Sequence, residues 1–372
     1  MNPEQFIAER VKSIGSSGIR RVFDLGATLK DPIDLSIGQP DFAVPDTVKE
    51  AMIRAVRDNK NGYTVTRGIA PLREALQARL RAEFDADMDV FVTSGVSGGL
   101  LLGLLACLNP GDEVLVPDPY FVSYPYLVQL AGGKPVLVDL YPDLQLHPER
   151  FAAAVTPRTR AIIVCSPANP TGMVYREQDL RALAQLAQER GLLLISDEIY
   201  SLLCYDGPHC SPVRFAPQNA LLLRGFGKTY GMTGWRMGFA AGPEPLIVQM
   251  AKLQQYTFVC APQPAQHACV AALHTDMSGK ADEYRAKRDL VCAELDGVVE
   301  FMRPGGGFYL FPQIPAGFTD ATVFVEQAIA RNLLIIPGDA FSRRNTHFRL
   351  SYAAPDHKLR AGCDVIRALV RR

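Results

Sequence analysis

Lys228 sits in RGFGKTYGMTGWRMGF (224–239), directly after the apolar run Ala220-Leu221-Leu222-Leu223, with Arg236 further along the same segment. An amine in a glycine-rich turn at a strand end is placed to act as a nucleophile beside a bound group. Asp197 ends a second apolar run, LLLIS (192–196). A carboxylate there is costly unless it meets a cation, such as a protonated heteroaromatic nitrogen. Tyr200, three residues on, can reach the same ligand, as can Asn169 in the proline-bounded turn SPANPTG (166–172). Phe121, after EVLVP (113–117), offers a flat face for a ring. Gly95, Val96 and Ser97 lie in the small-residue turn Ser94–Gly99, where free backbone N–H groups and a helix dipole can seat a phosphate, with Arg236 supplying a fixed charge. No G-K-[ST] follows, and the spacing is not G-x-G-x-x-G. A phosphate seat, a counter-ion for a ring nitrogen, a flat face and a lysine amine together describe a site for pyridoxal 5'-phosphate.

These residues fall at the ends of apolar runs that read as strands: VFVT (90–93), EVLVP (113–117), PVLV (135–138), AIIVC (161–165), LLLIS (192–196), ALLLR (220–224) and GFAAG (238–242). Between several of them lie helical patterns. Leu180, Leu183, Ala184 and Ala187 mark one face of a helix over 177–190, and Gly191 supplies its stop. Apolar strands alternating with helices predict an α/β fold: a mostly parallel sheet flanked by helices, binding its ligand beyond the strands' carboxyl ends. A polar break at 274–284 precedes a charged helix near 282–296, FMRPGGGFYLF (301–311), a helix near 321–331, LLIIPG (333–338), HFRLSYA (347–353) and a final helix. The expected organisation is a large cofactor-binding domain over 42–276 and a smaller α+β domain over 277–372, which the N-terminal segment 1–41 joins.

The 39 basic residues balance the 39 acidic ones, which argues against a nucleic-acid or acidic-membrane partner. The N-terminus is charged without an apolar core, and Gly99–Leu108 is too short to span a bilayer and reads as a buried helix, so a cytoplasmic protein is expected. The 8 cysteines form no C-x-x-C pair and read as reduced thiols, and the 6 histidines lack ligand spacing, so no metal is expected.

The motifs resemble those of the class I/II aminotransferases, a family of fold-type-I pyridoxal phosphate enzymes. SPANPTG is similar to the family's N-P-x-G turn, SDEIY (196–200) to its D-x-x-Y element, and GKTYGMTGWRMG (227–238) to its S-K-x-x-x-M-x-G-x-R lysine segment. DLSIGQPDF (34–42), RPGGGFYLF (303–311) and IIPGDAF (335–341) extend the likeness over almost the whole chain. The resemblance implies transfer of the amino group of an L-amino acid to a 2-oxo acid by ping-pong transamination. A pyridoxal phosphate lyase, or an enzyme like 1-aminocyclopropane-1-carboxylate synthase, is the alternative on the same scaffold. It implies Lys228 as the Schiff-base lysine and proton shuttle, Asp197 at the ring nitrogen, Asn169 and Tyr200 at the ring's phenolate oxygen, and Phe121 stacked on the ring. Gly95, Val96, Ser97 and Arg236 would hold the phosphate, joined by Tyr63 from a neighbouring subunit in a homodimer with composite sites. Arg349 would clamp the substrate carboxylate, with Gly38 and Asn169 assisting. Two departures stand out. Gly225 replaces a common serine, which removes one phosphate hydrogen bond. Ser97 stands where some aspartate-type relatives carry a lysine, which, with Phe121, Tyr124 and Tyr126, tilts the expectation toward neutral or aromatic donors.

Overall fold

A computed structural model describes residues 2–12, 14–15, 22, 26 and 29–371. A short strand, β1 (Ile33–Asp34), precedes seven strands of one sheet: β2 (Asp89–Ser94), β3 (Glu113–Asp118), β4 (Lys134–Asp139), β5 (Thr159–Cys165), β6 (Leu193–Asp197), β7 (Ala220–Gly225) and β8 (Met237–Gly242). Their order is β2-β8-β7-β6-β5-β3-β4. All pairings are parallel except those of β8, which runs antiparallel to β2 and β7. Alternate side chains of a strand point to opposite faces, and here they feed two apolar layers. Leu221 and Leu223 join Leu100 and Leu104 in one, while Leu222 joins Val90, Leu72 and Leu76 in the other. Cover on both faces is what keeps the central strands apolar, whereas the edge strand β4 is only partly buried and ends in exposed Lys134 and Asp139.

Helix α1 (Ala70–Phe84) buries Leu72, Leu76, Leu80 and Phe84 on one stripe. Helix α2 (Gly95–Cys107) is almost wholly apolar and packs on β7 and β8. Helix α3 (Glu177–Glu189) buries the expected face, and Gly191 at φ +63° ends it in the left-handed region.

The rest of the chain adds β9 (Tyr309–Leu310), β10 (Leu333–Leu334), β11 (Ile336–Pro337) and β12 (Phe348–Ser351). Strands β11, β12 and β9 form an antiparallel sheet, and β1 pairs in parallel with β10. Helix α4 (Gly279–Leu295) starts inside the stretch expected to be a polar break. Its first turn is polar because it is solvent-facing, and polarity alone does not separate such a turn from a loop. The glycines of RPGGGFYLF lie against the large sheet's loops: Gly305 N and Gly306 N donate to Gly172 O at 2.9 and 3.0 Å, and Gly307 N donates to Leu203 O at 2.8 Å.

Gly172 holds φ +68°, and a Cβ there would lie 2.6 Å from both Pro304 Cβ and Tyr309 O. Gly172→Ala is therefore expected to lower unfolding free energy by roughly 1–3 kcal/mol. Urea denaturation checks this, and an unshifted midpoint would refute the packing described.

Candidate active site

A cavity of about 260 Å³ opens where the parallel strands end. Strand β2 leads into Gly95–Ser97 at the start of α2, β3 leads to Phe121, β5 to Asn169, β6 to Asp197 and Tyr200, and β7 to Lys228; all line this cavity. Because β8 runs the opposite way, its beginning rather than its end reaches the same sheet edge, which puts Arg236 there too. Gly95 holds φ +71°, and a Cβ on it would lie 2.9 Å from Arg236 Nη2. The guanidinium and the first N–H groups of α2 therefore share one cradle. Gly38 and Arg349 also line the cavity, whereas Tyr63 lies outside it and is 85% exposed.

Two adjacent buried carboxylates meet opposite environments. Glu198 takes both Nε and Nη2 of Arg224, at 3.0 and 2.7 Å, and the Ser196 and Ser211 hydroxyls. Although burial opposes it, Arg224 holds the Glu198 carboxyl below its ordinary range. Asp197 faces the cavity and accepts from Tyr124 Oη at 2.7 Å and Ile199 N at 3.2 Å. Burial pushes its pKa up to about 6, against the pull of Tyr124 and Lys228. Lys228 Nζ donates to Gly38 O. Burial first, and then Arg349 and Arg236, bring its pKa down to about 8, which gives a neutral, nucleophilic amine in reach of physiological pH. Arg349 is buried; Nη1 donates to Asn169 Oδ1 at 3.1 Å and Nη2 to Ser36 O at 2.8 Å, while Nε has no partner.

The family description "Aminotransferase class I and II" matches residues 30–366. The chain belongs to that family. It is 35% identical to a probable aspartate aminotransferase of Methanocaldococcus jannaschii, over 98% of this chain and 99% of the relative. It is also 35% identical to aromatic-amino-acid aminotransferase 2 of Thermococcus litoralis, over 96% of each. The aspartate aminotransferase of Thermus thermophilus solved with maleate superposes with a TM-score of 0.93 at 36% identity, covering 98% of this chain and 99% of that one. This aminotransferase is thus a pyridoxal phosphate-dependent transaminase that moves an amino group from an L-amino acid to a 2-oxo acid.

Its residues fit the cofactor. The Gly95 cradle with Arg236 suits a phosphate, and the raised Asp197 carboxyl suits a cationic ring nitrogen. The Lys228 amine suits the aldehyde. At Gly225, where the lost serine hydroxyl would sit, a Cβ would lie 2.6 Å from Ile199 Cδ1, so apolar packing fills that space. No group of His, Cys, Asp and Glu able to hold a metal occurs among the described residues, and no helix among them is long and apolar enough to cross a membrane.

Two cavity tyrosines make polar contacts that the motifs did not indicate. Tyr124 is buried as a helix-face residue, yet its hydroxyl is the Asp197 donor; its apolar surroundings hid that polar end. Tyr309 lines the cavity at 3.2 Å from Tyr200 Oη. Its one sequence signal is the preceding triple glycine.

The folded, cofactor-free aminotransferase holds the Asp197 proton more tightly than the unfolded chain does, with a pKa of about 6 against 3.8. As pH rises from 4 to 6 the unfolded state loses that proton first, so stability falls through this window, by on the order of 3 kcal/mol. Asp197→Asn is expected to flatten that slope in cofactor-free protein. Denaturation midpoints across pH check it, and an unchanged slope would refute it.

Proposed function

We propose that Lys228, Asp197 and Arg349, which converge on one buried cavity, perform the transamination. That convergence is the observation that carries the reading. Arg349 receives the substrate α-carboxylate: its planar fork suits two parallel hydrogen bonds, and it gives up the weaker neutral acceptors Asn169 Oδ1 and Ser36 O. The Gly38 backbone lines the same end. The neutral Nζ of Lys228 takes the proton from the substrate Cα as general base. Bound pyridoxal phosphate would supply the electron sink for that step. Asp197 would keep the ring nitrogen protonated, with Tyr124 holding the Asp197 carboxylate in place. Asn169 and Tyr200 would donate to the ring's phenolate oxygen, and Phe121 would cover the ring face. Gly95, Val96, Ser97 and Arg236 would hold the phosphate.

The division into domains 42–276 and 277–372, with segment 1–41 on the smaller, is part of this reading. The β1–β10 pairing supports it. The described cysteines are free thiols, which supports a reducing, cytoplasmic setting. A homodimer is supported by Tyr63, Val65 and Tyr256, exposed at 85%, 69% and 81%. The two segments carrying them are stitched together by Thr64 N to Cys260 Sγ and Gly62 N to Gln263 Oε1. In that dimer Tyr63 reaches the partner's phosphate. Sedimentation should give twice the 40.8 kDa chain mass, and a stable monomer with full activity would refute the composite site.

Neutral or aromatic donors fit the cavity best. Lys228, Arg236 and Arg349 are the cations lining it, and all three already have roles, while Leu100, Phe121, Ile199 and Met237 are apolar. The test follows both the new amino acid and the new 2-oxo acid. Lys228→Ala should abolish turnover and the bound-cofactor absorbance. Arg349→Ala should raise KM for every donor at least tenfold, with cofactor still bound. Retained turnover in the first, or an unchanged KM in the second, would remove that residue from the site. A kcat/KM for aspartate above that for tyrosine or phenylalanine would refute the donor class.

A further inference from the structure

The Tyr200 hydroxyl has two close partners: Asn169 Nδ2 at 3.4 Å and Tyr309 Oη at 3.2 Å. A phenol has one proton and two lone pairs. Burial pushes both phenols above their ordinary value, so each carries its proton at neutral pH. The Asn169 amide is oriented from its other end, because Oδ1 accepts from Arg349 Nη1 at 3.1 Å. Its Nδ2 is therefore a donor toward Tyr200. Between the two tyrosines either oxygen is free to be the donor. The direction is decided if Tyr200 is to give its one proton to the cofactor's ring oxygen, as in the reading above, on which this inference rests.

We propose that Tyr309 is a positioning residue for Tyr200: its hydroxyl and the Asn169 amide fill the two lone pairs of the Tyr200 oxygen, which leaves the Tyr200 proton directed at the cofactor. The structure fixes Tyr309 for this. The Arg349 guanidinium lies 4.4 Å over its ring centroid, and the Phe308 ring packs at 4.7 Å. Its oxygen occupies the place where a Cβ on Gly38 would stand, 2.6 Å away. Its backbone belongs to β9, paired with β12, and follows the glycine segment bonded to Gly172 and Leu203. Tyr309 thus ties the strand carrying Arg349 to the ring-oxygen side of the cavity. The other groups coupled to the two phenols are Arg349 and Cys165, and neither is altered below.

The experiment compares Tyr309→Phe, Tyr200→Phe and the double variant, each loaded with pyridoxal phosphate and titrated by the visible absorbance of the bound cofactor. Weaker donation from Tyr200 leaves the ring oxygen more basic, so the titration midpoint rises. Tyr309→Phe should raise it by roughly half a pH unit, the worth of one neutral hydrogen bond. Tyr200→Phe should raise it further, and the double variant should match Tyr200→Phe alone. A shift from Tyr309→Phe that persists undiminished without the Tyr200 hydroxyl overturns the proposal. So does no shift in Tyr309→Phe while Tyr200→Phe shifts. No shift in Tyr200→Phe overturns the ring-oxygen contact itself, and the proposal with it. A second measurement needs no cofactor. Gly38→Ala collides with the Tyr309 oxygen, but the next ring atom, Cζ, lies at 3.7 Å. Tyr309→Phe should therefore restore the thermal midpoint that Gly38→Ala loses, and failure to restore it overturns the placement of Tyr309.

Discussion

A carboxylate at the end of a fully buried strand must find a cation or hold a proton, and Asp197 does neither completely within the bare chain. Its two hydrogen bonds, from Tyr124 and Ile199, satisfy its oxygens without cancelling its charge. The opposing charge that acts on it, Lys228, is itself weakened as a cation by burial and by two arginines. A site of this kind is electrostatically incomplete. A planar cation between the strand ends and a phosphate at the Arg236 cradle would complete it. The family's cofactor has that charge distribution, with a positive ring nitrogen at one end and a dianion at the other.

Neighbouring Glu198 makes the contrast instructive. It is just as buried, yet Arg224 and two serine hydroxyls satisfy it entirely from within the protein. Arg224 reaches on to Glu83 at the end of α1 at 2.6 Å, so β6, β7 and α1 are joined behind the cavity. The same burial thus yields a structural ion pair on one side of the strand end and a carboxylate facing the cavity on the other. Because successive side chains point to opposite faces, one dipeptide serves both purposes.

A comparable economy links two sides of the cavity. Arg349 bonds Asn169 and stacks on Tyr309, which touches Tyr200. Asn169 in turn bonds Tyr200, so the four groups form a closed, buried circuit and are held in one geometry. Its rigidity comes from backbone contacts that admit no side chain, at Gly172 and at Gly38. A buried polar circuit of this sort is stable when every member is satisfied. Arg349 Nε is its one buried donor without a partner.

Much of this was legible in the sequence. Seven apolar runs became seven strands, because residues of the central strands, covered on both faces, must be apolar wherever they lie in space. Lys228, Asp197, Asn169 and Arg236 stood out because charged or amide groups at the ends of such runs need a partner. The polar contacts of Tyr124 and Tyr309 did not stand out. A tyrosine in an apolar pattern reads as packing, and only the crossing of β3, β6 and the glycine segment turns its hydroxyl toward a partner far along the chain. The early start of α4 was hidden in the same way, since an exposed helical turn and a loop share one composition. Local composition and periodicity thus determined the element types, the mostly parallel sheet and the sheet edge at which these polar residues collect. The pairings across the sheet decided which hydroxyl meets which carboxylate, which arginine lies over which ring, and how far each acid and amine departs from its solution behaviour, because those depend on distances between residues that the chain order leaves open.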